Sequence, residues 1–195
     1  MSKRDEIRHS VLIVSTSEKF DSIVRRSLSP RKFASVEFKN NSGLARRCIL
    51  ERYYDLVIIN APLPEERGED LAIDIKEKCN ASVLLVVPQE IFGDMSEMVT
   101  DYGILIIPKP VPRGQIDKAI RFLAATQDKV HSLERKLQTA QEKMDELRMV
   151  NKAKFLLIEK KHMTEDEAHR MIGKQAMDHG LSRGSIARRI VEDLK

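Results

Sequence analysis

The stretch D-L-V-I-I-N-A-P-L-P-E-E-R-G, residues 55–68, decides the fold. Leu56, Val57, Ile58 and Ile59 form an apolar run with no polar alternation. A strand of that kind is buried on both faces, as in a parallel sheet covered by helices. The run stops at Asn60, and Pro64 and Gly68 punctuate the loop beyond it. In open α/β folds the carboxyl ends of the strands carry the chemistry. An amide at that edge is therefore the residue to explain.

Similar runs flank it. V-L-I-V-S (11–15), S-V-L-L-V-V (82–87) and I-L-I-I-P-K (104–109) are almost wholly Val, Ile and Leu. S-V-E-F-K (35–39) alternates, which suits a sheet edge. Helical patterns fall between, near 17–29, 42–53, 68–79, 90–100 and 113–125. Five β/α units predict a doubly wound α/β sandwich.

The pattern changes from about Gln127. Val130, Leu133, Leu137, Ala140, Met144 and Leu147 are spaced 3, 4, 3, 4, 3, an a/d seam ringed by Glu, Lys, Gln and Arg. No Pro or Gly occurs between 115 and 172, so one helix is predicted from about 127 to 161. Two readings fit the seam: a parallel coiled-coil dimer, or packing back on the chain's own α/β domain. Beyond it, Thr164 and Glu167 form a capping box, Gly180 suits a left-handed helix end, and Ser182 caps a last helix over 183–194. The expected domains are 1–125, a stalk over 126–150, and a helical unit over 151–195.

Composition narrows the function. The 195 residues carry a net charge of +4, no Trp and two Cys without ligand-like spacing. No zinc site or disulfide framework is indicated, and a reducing cytoplasm fits. The charged start, Ser2-Lys3-Arg4-Asp5-Glu6, argues against a signal peptide, and no apolar run reaches membrane-span length. The segment 125–195 holds +3 of the charge, a hint of an anionic partner. No Gly-rich phosphate loop follows the first strand, and no catalytic Ser/His/Asp or Cys/His set converges. No enzyme, cofactor or metal site is expected.

Residues 9–125 resemble the receiver domain of response regulators in two-component systems. The resemblance rests on the quoted stretch, with Pro64 and Gly68 after the third strand, and on Lys109-Pro110 after the fifth. It implies a flavodoxin-like five-stranded sheet. It also implies an Asp nucleophile after the third strand, two acids after the first to hold Mg²⁺, a hydroxyl after the fourth and a Lys after the fifth. Here those positions read Asn60, Ser15 and Thr16, Val87, and Lys109. An amide nitrogen has a delocalised lone pair and does not attack a phosphoryl donor as a carboxylate does. The resemblance therefore implies a pseudo-receiver that takes no phosphate, with Lys109 hydrogen-bonded to Asn60 or Ser15. A rival reading makes Glu18 or Asp21 a substitute acid.

Residues 153–194 resemble an ANTAR domain, the RNA-binding module of antiterminator regulators. Ala153-Lys154, Leu157, Glu165 through Ala168, Ala176-Met177 and Ile186-Ala187 carry the match, while Phe155 and Leu147 depart from it. On the second helix Ala168, Met171, Ile172 and Gln175 fall within roughly 100° of one another and face inward. Arg170, Lys174 and Met177 fall opposite. With Lys154 and Arg188 they form the expected RNA-binding set. The implied function is transcription antitermination on paired stem-loops of a leader RNA, by a homodimer, with a regulatory protein partner at the receiver-like domain. The residues alone also fit a protein-interaction adaptor or a DNA-binding regulator.

Overall fold

The computed structural model describes residues 8–194; the charged stretch Ser2 to Glu6 lies outside them. The chain divides into two compact units, the first ending at His131 and the second beginning at Ser132.

The first unit holds strands β1 (His9–Val14), β2 (Phe33–Lys39), β3 (Leu56–Asn60), β4 (Ser82–Val87) and β5 (Leu105–Pro108). All pair in parallel, in the order β2-β1-β3-β4-β5. This is the flavodoxin-like arrangement, with its switch point between β1 and β3. Helices α1 (Glu18–Ser27), α2 (Ser42–Glu51), α3 (Glu69–Lys78) and α4 (Phe92–Thr100) alternate with the strands, a short 3₁₀ turn at Gln89–Ile91 preceding α4.

The unalternated strand runs have a direct physical reason. Leu12, Val14, Val57, Ile59, Val83 and Leu85 enter one core, while Val11, Ile13, Leu56, Ile58, Leu84 and Val86 enter the other. Each strand thus feeds both faces. On the edge strand β2, burial is complete only at Phe33, and Glu37 and Lys39 pair with each other at 2.8 Å. Charges on an edge discourage pairing with another sheet. Gly68 opens α3 at φ 104°, and a Cβ there would lie 3.0 Å from Ala61 Cβ. Both facts require glycine.

The fifth helix departs from expectation. Two helices, 113–125 and about 127–161, are predicted; one helix, α5 (Arg113–Lys161), is found. The change of hydrophobic pattern near Gln127 is a change of partner, not a break. Gln127 is buried, donates to Tyr53 Oη and to the Asn80 carbonyl, and accepts from Ser82 Oγ at 3.1 Å. The first unit therefore holds α5 as far as His131. Val130, the first seam position, lies within that unit and is half-buried.

The second unit comprises the rest of α5, α6 (Glu165–His179) and α7 (Arg183–Asp193). Its core is Ala153 and Leu157 from α5, Ala168, Ile172 and Ala176 from α6, and Ile186, Ala187, Ile190 and Val191 from α7. The capping box forms as spelled: Thr164 accepts from Glu167 N while Glu167 Oε2 accepts from Thr164 N at 2.8 Å. Such a cap contributes about 1 kcal/mol. Gly180 takes φ 62° at the end of α6, and Ser182 caps α7. His162 holds the left-handed position between α5 and α6, at φ 54°.

Candidate functional site

Two places carry polar chemistry: the carboxyl end of the sheet and the outer face of the second unit. The first is built by strand register. Val14 pairs with Ile59, Asn60 with Val86, and Val87 with Pro108, so the residues following all these strands arrive together.

Asn60 is buried, and its Nδ2 donates to Ser15 Oγ at 3.1 Å. Ser17 N also donates to Ser15 Oγ, at 3.0 Å. The Asp21 carboxyl lies near enough to the Ser15 hydroxyl for that group to lower its pKa. Burial raises the Asp21 pKa more than the Ser15 hydroxyl lowers it. Asn60 Oδ1 and Asp21 Oδ1 are both buried without a hydrogen-bond partner among the described residues.

Lys109 corrects an expectation. Its Nζ donates to the Ala61 carbonyl at 2.5 Å, not to Asn60 or Ser15. Burial lowers its pKa. Thr16 is exposed, and Val87 is fully buried among the apolar residues under α3 and α4. Of the five pocket positions, then, Asn60, Ser15 and Lys109 converge, and Thr16 and Val87 do not. A cavity of about 370 Å³ opens beside them, lined by Lys19, Phe20, Asn60, Val86, Lys109 and Val111. Asp21 is the acid that approaches Ser15; Glu18 is exposed.

The loop after Asn60 is clamped from α2. Arg46 binds Glu66 through both terminal nitrogens, at 2.9 and 3.0 Å, and Asp74 through Nε at 2.8 Å. Sequence reading missed this. Its one signal was the acidic pair Glu65-Glu66 inside a loop otherwise built from Pro and Gly.

On the second unit, Arg170, Lys174, Met177 and Arg188 are all exposed, Met177 at 84%. None of the three cations has a carboxylate ion-pair partner among the described residues. Lys154 differs. Its Nζ pairs with Glu165 Oε1 at 2.8 Å, its side chain is 17% exposed, and the Glu165 pKa is lowered by that bond. Its charge is spent tying α5 to the start of α6. The inward face of α6 holds as expected at Ala168 and Ile172, with Met171 and Gln175 half-buried, and it extends to Ala176. The seam residues Leu133, Leu137, Met144 and Leu147 are 53%, 61%, 53% and 63% exposed.

Comparison with known proteins decides the second unit. The ANTAR domain family matches residues 138–191, beginning inside the segment that heptad spacing assigns to the stalk. The C-terminal unit is an ANTAR domain. Transcriptional regulatory protein PdtaR of Mycobacterium tuberculosis (strain H37Rv) is 28% identical over 141 residues, which is 72% of this chain and 68% of that protein. The first unit has the receiver fold. The signal receiver domain of an HD domain-containing protein from Pseudomonas fluorescens Pf-5 superposes with a TM-score of 0.58, at 20% identity, over 68% of this chain and 97% of that one. A chain described as adenylate cyclase from Rhodopirellula baltica gives 0.60 at 18% identity, over 68% and 98%. At such identities the likeness is one of fold. The chain thus joins a receiver-fold domain to an ANTAR domain. No helix of its described residues is long and apolar enough to cross a membrane.

Proposed function

We propose that this protein is a transcription antitermination regulator that binds paired stem-loops of a leader RNA through its ANTAR domain. One observation carries the reading: on the ANTAR domain, Arg170, Lys174 and Arg188 stand exposed without ion-pair partners among the described residues, beside the exposed Met177. Cations of that kind suit a phosphate backbone, and an exposed Met suits splayed loop bases. The protein acts as a homodimer through Leu133, Leu137, Met144 and Leu147, which places two RNA-binding units at high effective concentration. It makes and breaks no covalent bond. Its receiver-fold domain takes no phosphate, and a regulatory protein binds there instead.

The test is a salt titration of binding to stem-loop RNA and to duplex DNA. Affinity for stem-loop RNA should fall linearly in log–log form, with weaker binding to the duplex. Replacing Arg170 and Lys174 by Ala should lower the slope by about 0.7–0.9 per lost phosphate contact. Equal affinity for duplex DNA would favour a DNA regulator. Binding to neither would favour a protein-interaction adaptor, with the stripe as a solvated face.

A further inference from the structure

A groove of about 430 Å³ lies on the ANTAR domain, lined by neither Arg170 nor Lys174. Leu147, Val150 and Asn151 line it from α5, His169 from α6, and Arg183 from the first position of α7. Its volume sits at the low end of small-molecule pockets. Lys143, Glu146 and Lys154 also border it.

The charges sort by what they already hold. Lys154 is paired with Glu165. Glu146 Oε1 accepts the backbone N–H of Gly184 at 2.9 Å, so its charge faces the start of α7, where a helix favours an anion. A Cβ on Gly184 would fall 2.9 Å from Glu146 Cγ, so glycine lets this contact close. Lys143, Asn151 and Arg183 have no hydrogen-bond or ion-pair partner among the described residues. A Cβ on Gly173 would lie 3.9 Å from an Arg183 terminal nitrogen, which puts the guanidinium one turn along α6 from His169. The groove thus joins an apolar floor, a free amide, two planar side chains and two uncompensated cations.

We infer that this groove receives one unstacked loop nucleotide of the bound RNA. The inference rests on the proposed RNA binding and adds where a base is read. Val150 meets the face of the base, while Leu147 belongs to the seam beside it. Asn151, which both donates and accepts, meets its edge. The planes of His169 and Arg183 supply stacking surface, and the charges of Arg183 and Lys143 meet the adjoining phosphate. The stripe on α6 offers charge and a methionine, which suits backbone, while the groove selects sequence. Leu147 is also the last seam position, so in the dimer the groove lies beside the end of the paired helices.

The experiment uses the full-length protein and an RNA enriched by it from a pool of two-hairpin RNAs with randomised loops. Each loop nucleotide is then made abasic in turn. With wild type, one position should cost about tenfold or more in affinity, as expected for a single seated base. Asn151→Ala and Arg183→Ala should each weaken the intact RNA by a similar factor and abolish the penalty at that one position. Lys174→Ala should weaken every RNA by the same factor and keep the penalty. Both groove residues are exposed, and Asn151→Ser, which keeps a polar group of smaller reach, should fall between wild type and Ala. If the groove variants stay as sensitive as wild type to every abasic position, the groove reads no base, although RNA binding stands. If no RNA is enriched at all, both the groove and the function beneath it are overturned.

Discussion

Replacing Leu133 and Leu137 by Asp should turn a dimer into a monomer, and the size of the effect can be worked out. In one chain these leucines are 53% and 61% exposed. Full burial of a Leu side chain stabilises by roughly 1.5–3 kcal/mol, so covering the exposed half yields roughly 1–1.5 kcal/mol each. Two leucines on each of two protomers then contribute roughly 4–6 kcal/mol, about three to four decades in Kd. With Met144 and Leu147 included, the seam offers roughly twice that. Association itself costs roughly 4–15 kcal/mol, so the seam alone reaches about micromolar Kd only at the low end of that cost and never makes a permanent dimer. Asp at both positions removes the apolar gain and sets charges where desolvation is costly. Sedimentation velocity from about 1 to about 100 μM should show wild type passing from monomer to dimer and the variant remaining monomeric. Circular dichroism should show folding intact, because both side chains already face solvent in one chain. A wild-type protein that is monomeric at about 100 μM, or a variant that dimerises equally well, would sink the seam.

Other outcomes follow from the first unit. Incubation with acetyl phosphate and Mg²⁺ should leave mass, oligomeric state and RNA affinity unchanged; a hydroxylamine-labile adduct on Asp21 would promote that residue to a substitute acceptor. Asp21→Asn should raise the melting temperature at neutral pH. The folded-state pKa of Asp21 is raised by burial, so its contribution is favourable only at low pH and is lost as pH rises through that value. A variant less stable than wild type at neutral pH would show that the carboxylate is needed beside Ser15. Glu37 titrates the other way. Hydrogen bonds from Lys39 and Tyr54 pull its pKa from 4.5 to about 2. Its contribution is therefore present above the ordinary carboxylate range and lost as pH falls toward 2. Screening at a side chain 27% exposed cuts the effect to roughly 1–2 kcal/mol. Glu37→Gln should flatten the stability difference between about pH 7 and about pH 3, and an unchanged acid limb in urea unfolding would count against this.

What the sequence disclosed and what it hid differ in kind. Strand interiors and helix punctuation are local: a run such as 56–59, or Thr164 with Glu167, states its own geometry. Partners across the fold are not. Asp55 reads as the first residue of a strand, yet it accepts from Ser10 N at 2.6 Å and faces His131 at 3.2 Å, while His9 faces Asp128 at 3.3 Å. These polar groups, with Gln127, fasten α5 to the amino-terminal end of the sheet, and no spacing rule joins residues that far apart. Lys154 stood among cations, but tertiary structure gave it Glu165. Glu146 looked like a coiled-coil flank, but Gly184, lacking a side chain, let it cap α7. Charge is legible in sequence; whether that charge is spent is legible only in the fold.

The same distinction answers the question that Asn60 poses. A receiver with its acids intact holds like charges close together, and their repulsion keeps the empty site poised for a cation and a phosphoryl group. Here Ser15 accepts from Asn60 and from Ser17 N, neutral donors both, with the Asp21 carboxyl close by. Lys109, which could have answered a carboxylate, is held by the Ala61 carbonyl. The loop between them is clamped by the Arg46 fork on Glu66. Asn60→Asp alone should therefore not restore phosphate uptake. The new carboxylate would stand near Asp21 in a buried site, with Thr16 outside the pocket and no hydroxyl at Val87. It should instead lower stability at neutral pH and recover it as the pH falls and the acid protonates, the sign opposite to that of Glu37. Phosphotransfer to the introduced carboxylate in that single variant, seen as a hydroxylamine-labile mass increase, would show that one acid suffices and that the pocket was only one substitution from function.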